Sequence, residues 1–238
     1  SVVPLNMGED DKRLAYVLEH SGAKALFVLQ EYAERMRPLR QAAPRIEHVF
    51  VIESRTDSMP GTEVRLEDVL PPVNVPQFSA PEQIDPDGEA LVVYTSGTTG
   101  VPKGVALSQY NLVADAFAIV QWHGFTSSTP LMCVLPVHHV NGLVVTHLAT
   151  VFCGGSVVLT RKFSAQKFFF TAAAHGVEVI SVVPTLLQFL LEAHAAPGKT
   201  ADAAPSLRYV ICGAGPLTVD LATRFEERFK IPICHGYG

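Results

Sequence analysis

The chain has 238 residues, 48% of them hydrophobic and 17% charged, with a net charge of −5 at pH 7. That much apolar content is enough for a sizeable core, in one large or two medium domains, and excludes a disordered chain. The acidic balance and the lack of a Lys/Arg run exclude a nucleic-acid-binding surface.

From Ser1 to Ile52 apolar runs alternate with helical periodicity. Ser1–Leu5 reads as a strand, and Glu9-Asp10-Asp11 suits the positive end of a helix carrying Leu14, Val17 and Leu18. Gly22 stops that helix. Strand Ala25–Leu29, helix Glu31–Ala42 and strand His48–Ile52 follow, a parallel α/β pattern. Ser54–Gly61 is a loop, and Pro71–Pro86, with five prolines, is an irregular connector.

At Ala90–Tyr94 a β-favouring run breaks into Thr95-Ser96-Gly97-Thr98-Thr99-Gly100-Val101-Pro102-Lys103-Gly104. Glycines let backbone N–H groups face an anion, Thr and Ser hydroxyls donate to phosphate oxygens, and Lys103 adds a point charge. This is the pattern of a phosphate loop at a strand end. It fits neither G-x-x-x-x-G-K-[ST] nor G-x-G-x-x-G. A Gly/Thr surface loop without ligand is the plain alternative.

Further along, Ser108–Trp122 reads as a helix and Leu131–Leu135 as a strand, with a helix from about Val140 to Phe152 and strand Ser156–Leu159. Ser164 is placed to cap a helix ending at His175-Gly176. Strand Val177–Val183, helix Thr185–Ala195, strand Leu207–Cys212, helix Thr218–Lys230 and strand Ile231–Cys234 complete the chain. The fold class is α/β, with two stacked, mostly parallel sheets flanked by helices. Subdomains are expected at 1–123 and 124–238, with ligands at strand carboxyl ends.

The apolar region Val140–Leu159 is interrupted by Asn141, Gly142, His147, Gly154 and Gly155, so it fails as a membrane span. Four scattered cysteines without C-x-x-C spacing read as buried thiols of a reducing, cytoplasmic compartment. Both chain ends read as cuts through a longer protein, and a sheet edge left uncovered there would favour homo-oligomer contacts.

The string Tyr94–Gly104 resembles, almost letter for letter, the Y-T-S-G-T-T-G-x-P-K-G signature of the adenylate-forming superfamily, which includes acyl-CoA synthetases. Three further stretches share the resemblance, in the family's order. Pro136-Val137-His138-His139-Val140-Asn141-Gly142 matches P-[LM]-F-H-x-x-G, with His138 in place of the aromatic residue; Gly213-Ala214-Gly215-Pro216-Leu217 matches G-[GA]-[AG]-P-L. His235-Gly236-Tyr237-Gly238 matches the start of [QH]-G-Y-G-x-T-E, and Val183-Pro184-Thr185 is another family-like spot. On residues alone, the two histidines could equally be a satisfied polar turn and the Gly213 segment a tight strand-to-helix turn.

The resemblance implies the large N-terminal domain of an ATP-dependent acyl-CoA synthetase that converts a carboxylic acid to acyl-AMP and then to acyl-CoA. ATP, Mg²⁺ and CoA are the implied cofactors, and the partners are small molecules rather than nucleic acid or membrane. It assigns catalytic roles to His139 and Lys103. Nucleotide contacts fall to Thr95, Ser96, Gly97, Thr98, Thr99, Gly100, Lys103, Gly213, Ala214, Gly215, His235, Gly236, Tyr237 and Gly238. The acid pocket takes His138, His139, Asn141, Gly142, Val183 and Gly213. The metal-binding glutamate lies in the part of the motif past Gly238, so no metal ligand is expected within this chain. Readings as a peptide-synthetase adenylation domain, a phosphate-loop NTPase or a non-catalytic nucleotide-binding fragment are the alternatives.

Overall fold

The computed structural model describes residues 1–54, 60–70, 83–95, 101–195 and 204–236. Two compact units, Ser1–Gln109 and Tyr110–Gly238, divide the chain.

In the first unit, strands β1 (Ala25–Leu29), β2 (His48–Ile52) and β3 (Glu63–Arg65) form a parallel sheet in that order. Helices α1 (Asp11–Ser21) and α2 (Gln30–Arg40) bring Leu14, Leu18, Ala33 and Met36 onto Leu26, Val28, Val49 and Val51. Asp10 caps α1 by accepting from the Arg13 N–H, and Gly22 ends it at φ 62°. Strand β3 and the short helix α3 (Leu66–Val69) follow a stretch read only as loop, and Glu63 is tied to α2 by Arg37 Nε at 2.7 Å.

Two sequence expectations are corrected here. Ser1–Leu5 makes one parallel bridge, Val2 to Leu91, because Val2 alone bonds on both sides, to Ala90 O and from Val92 N. Ser108 does not open the next helix: it ends β5 (Lys103–Ser108), a strand antiparallel to β4 (Glu89–Thr95) that the sequence reading did not contain.

The second unit holds a parallel sheet in the order β10-β9-β8-β6-β7, from β6 (Leu131–Cys133), β7 (Val157–Leu159), β8 (Val179–Val182), β9 (Tyr209–Cys212) and β10 (Ile233–His235). Alternate side chains go to opposite faces. Met132, Ile180, Val182, Val210 and Cys212 pack with α6 (Phe168–Ala174), α7 (Pro184–Ala193) and α8 (Val219–Phe229) through Phe168, Leu187, Leu190, Phe225 and Phe229. Leu131, Val179 and Ile211 pack on the other face with Val120 of α4 (Gln109–His123), Ala149 of α5 (Ala149–Phe152) and Phe125 just after α4. Helix α4 therefore goes with the second unit, one helix earlier than a boundary at 123/124, because its buried Val120 belongs to this core.

Between β6 and α5 the helix expected from Val140 is a π-helix, Asn141–Leu148. Ser164 does not cap α6: its carbonyl accepts from Lys167 N, and Lys167 occupies the cap. Cys133, Cys153, Cys212 and Cys234 are free thiols, and burial pushes the Cys212 thiol up to about 11. Among the described residues no helix is long and apolar enough to cross a membrane.

Candidate functional site

The strand order of the second unit creates a crevice. After β6 the chain leaves to the face of the π-helix and α5, while after β8 it leaves to the face of α7. Neighbouring parallel strands whose connections depart to opposite faces leave a gap at their carboxyl ends, where such sheets bind ligands. Here the gap opens between Leu135–Asn141 on one side and Val183-Pro184 on the other.

The wall after β6 is held by short-range chemistry. The His139 N–H donates to Pro136 O at 3.2 Å, and Leu143 N–H donates to His139 O at 3.0 Å. Gly142 is buried against this turn: a Cβ there would lie 2.4 Å from the Pro136 carbonyl oxygen, so only glycine fits. Its own carbonyl accepts from His147 Nδ1 at 2.8 Å, which fixes that ring's tautomer, and sits 3.7 Å from Cys133 Sγ. Burial raises the Cys133 thiol, with hydrogen bonds to Leu135 and Thr146 working the other way.

Above this base stand His138, half-buried, and His139, exposed, with ring centroids 4.3 Å apart. Asn141 opens the π-helix, and its Oδ1 accepts from Ser181 Oγ at 2.5 Å, across the crevice from β8. Ser181 is 2% exposed, the polar member of a wholly buried strand. With Oδ1 engaged, the Asn141 amide N–H₂ is left to donate elsewhere.

The next two strand ends continue the same edge. Gly213 N–H donates to Val182 O at 3.3 Å and Gly236 N–H to Cys212 O at 2.9 Å, so the turns after β8, β9 and β10 are stitched together. Gly213 is buried, Ala214 is held at φ 58°, and Gly215 lies beside the Pro184 ring. Val183 caps α7, and His235 and Gly236 are exposed at the end of β10. Tyr237 and Gly238 lie outside the described residues.

Thr95 and Lys103 belong to the first unit. Thr95 ends β4, Lys103 starts β5, and the two are cross-strand partners, both exposed. Ser96, Gly97, Thr98, Thr99 and Gly100 lie outside the described residues.

The structure thus gathers His138, His139, Asn141, Gly142, Val183, Gly213, Ala214, Gly215, His235 and Gly236 along one sheet edge, and pairs Thr95 with Lys103. Sequence reasoning passed over Ser181 and the His147 lock. A serine inside the otherwise apolar Val179–Val183 run was the available signal for the first.

A family model described as AMP-binding enzyme matches residues 1–238. The chain belongs to that family. It is 33% identical over 237 residues to a sulfoacetate–CoA ligase of Cupriavidus necator, covering 100% of this chain and 44% of that protein. An oxalate–CoA ligase of Arabidopsis thaliana is 30% identical, with 100% of this chain and 45% of the relative covered. The crystal structure of ATP-bound MatB from Rhodopseudomonas palustris superposes with a TM-score of 0.82 at 26% identity, over 99% of this chain and 44% of that one. The AMP-binding chain therefore spans less than half the length of these relatives.

Proposed function

We propose that this chain is the acid- and nucleotide-handling part of an AMP-forming acid–CoA ligase. The convergence of four family-like segments on the carboxyl edge of β6, β8, β9 and β10, beside the crevice, is the observation that carries this reading. The acid's carboxylate oxygen attacks the α-phosphorus of ATP, the α–β phosphoanhydride bond breaks, and acyl-AMP and pyrophosphate result. The CoA thiol then attacks the acyl carbon, releasing AMP and a proton. Catalysis of the first step is mostly positioning and charge neutralisation.

His139 orients the carboxylate, the Gly213–Gly215 turn with His235 and Gly236 lines the adenine, and Thr95 with Lys103 holds the departing phosphates. Mg²⁺ is held as a rule by one or two carboxylates together with the nucleotide's phosphates, and no step is assigned to that ion here. The compartment fitting free thiols is the cytoplasm.

The acid is short and carries a second polar or anionic group. Relatives named for sulfoacetate and oxalate support this, as do His138, His139 and the Asn141 amide, which make the crevice wall polar. The test is ATP–pyrophosphate exchange by the full-length protein with acetate, hexanoate, benzoate, oxalate, malonate and sulfoacetate. Exchange with one of the last three, lowered by His139→Ala, is expected. Exchange with none of the acids, or ATP hydrolysis that needs no acid, would overturn the reading.

A further inference from the structure

Residues 1–109 contain a side-chain chain that reaches the hairpin from a distant helix. Tyr94 stands one residue before Thr95 on β4, directly opposite Gly104 on β5. Its ring lies on that glycine: a Cβ at position 104 would be 3.2 Å from Tyr94 Cζ and 3.1 Å from Val92 Cγ1. Aromatic rings laid over a cross-strand glycine in this way pin strand register. The Tyr94 hydroxyl is 2.8 Å from His20 Nδ1, 74 residues away at the last turn of α1. The His20 ring meets Tyr94 edge-on at 5.8 Å and stacks on Tyr16 at 5.1 Å and 25°.

β4 and β5 form a sheet of two strands, with Val2 as a single-residue third partner. Such a ribbon is marginal without packing from elsewhere. β4 buries Leu91 and Val93, and on the surface side it meets His20, an exposed residue with no core role. Burial raises the Tyr94 hydroxyl's pKa, keeping its proton available for the bond.

We infer that His20 is a positioning residue: by holding Tyr94 on Gly104 it fixes the cross-strand pair Thr95–Lys103 toward the β- and γ-phosphates of ATP. This rests on the ligase reading for the identity of the anion. Its consequence is selective. The adenylation step and its reversal use those phosphates, whereas thioester formation from acyl-AMP does not.

The test uses the full-length protein carrying His20→Ala, Tyr94→Phe, both together, and His20→Asn, whose amide can occupy the Nδ1 position. Affinity for ATP and for tripolyphosphate is measured calorimetrically, which needs no acid. The KM for ATP and pyrophosphate in exchange and the rate of thioester formation from preformed acyl-AMP are measured beside it. The expected result is a loss of roughly 5- to 10-fold in both affinities and a matching rise in the KM for ATP, the size of one hydrogen bond. Thioester formation should be unchanged, the double variant no worse than either single one, and His20→Asn close to wild type. Unchanged affinities, additive losses, or an equal fall in both half-reactions would overturn the inference. A wild-type protein that binds ATP and tripolyphosphate but exchanges with no acid sinks the ligase reading alone, and one that binds neither sinks both.

Discussion

Gly142→Ala tests whether the crevice wall is built as described. The added Cβ would sit 2.4 Å from the Pro136 carbonyl oxygen, 3.0 Å from its carbon and 3.1 Å from the Leu135 oxygen, where ordinary contact starts near 3.4 Å. All three neighbours are backbone, so no side-chain rotation relieves the clash, and the turn must open by about 1 Å, an overpacking cost of about 1–3 kcal/mol. The displaced Pro136 oxygen also loosens its bond from His139 N–H, and the Gly142 carbonyl moves away from His147 Nδ1. A further loss of about 1 kcal/mol follows from those bonds. For a domain of this size the sum lowers Tm by roughly 6–12 °C. Thermal unfolding followed by near-UV circular dichroism reads the shift, and ATP–pyrophosphate exchange should fall with it because His139 rides on the same turn. A Tm within about 2 °C of wild type would show that the turn after β6 is not closed against Gly142.

Two other outcomes follow from the same geometry. Lys103→Ala should weaken ATP use by about one to three kcal/mol, the worth of one charge-assisted contact, read as a raised KM for ATP; unchanged ATP kinetics would remove Lys103 from the phosphate site. His123 stacks between Phe125 and Tyr209, with Nδ1 3.0 Å from the Tyr209 hydroxyl, and burial lowers its pKa. The fold therefore favours the neutral ring, so this stability is fully present above the unfolded value of about 6.5 and is lost as pH falls from there through the lower folded value. Urea unfolding between pH 8 and pH 5 should show that slope and His123→Phe should flatten it; an equal slope in both proteins would mean His123 is not the titrating group.

The parts of the fold legible in the sequence are those where burial alone decides the pattern. Ala25–Leu29 and His48–Ile52 appear with the bounds read from their apolar runs, because each belongs to a parallel sheet, one face of which packs on α1 and α2. Helix α8 is equally plain, with Thr218 accepting from Leu221 N at one end and Lys230 left-handed at the other. β5 was not legible for the opposite reason. Four of its six residues are exposed, so Lys103–Ser108 has no alternation to read, and its strand character comes from pairing with β4. β3 has three residues, two of them charged, and exists through its register with β2.

At the candidate site the division is between what a strand end announces and what a distant contact supplies. A run of β residues breaking into Pro136 or Gly213 marks where a sheet edge presents backbone to a ligand, and that is visible in one dimension. The groups that orient the site's side chains come from 40 to 74 residues away: Ser181 on Asn141, and His20 on Tyr94 beside Thr95. Neither has local periodicity, since one sits in an apolar strand and the other on an exposed helix end. Orientation of a side chain by a remote hydrogen bond depends on which strands become neighbours. Here β8 becomes the neighbour of β6 only because β7 goes to the other side, and that reversal both opens the crevice and brings Ser181 to Asn141. The same topological step thus makes the gap and fixes the amide that faces it, so a change of acid preference should be sought first at positions 141 and 181.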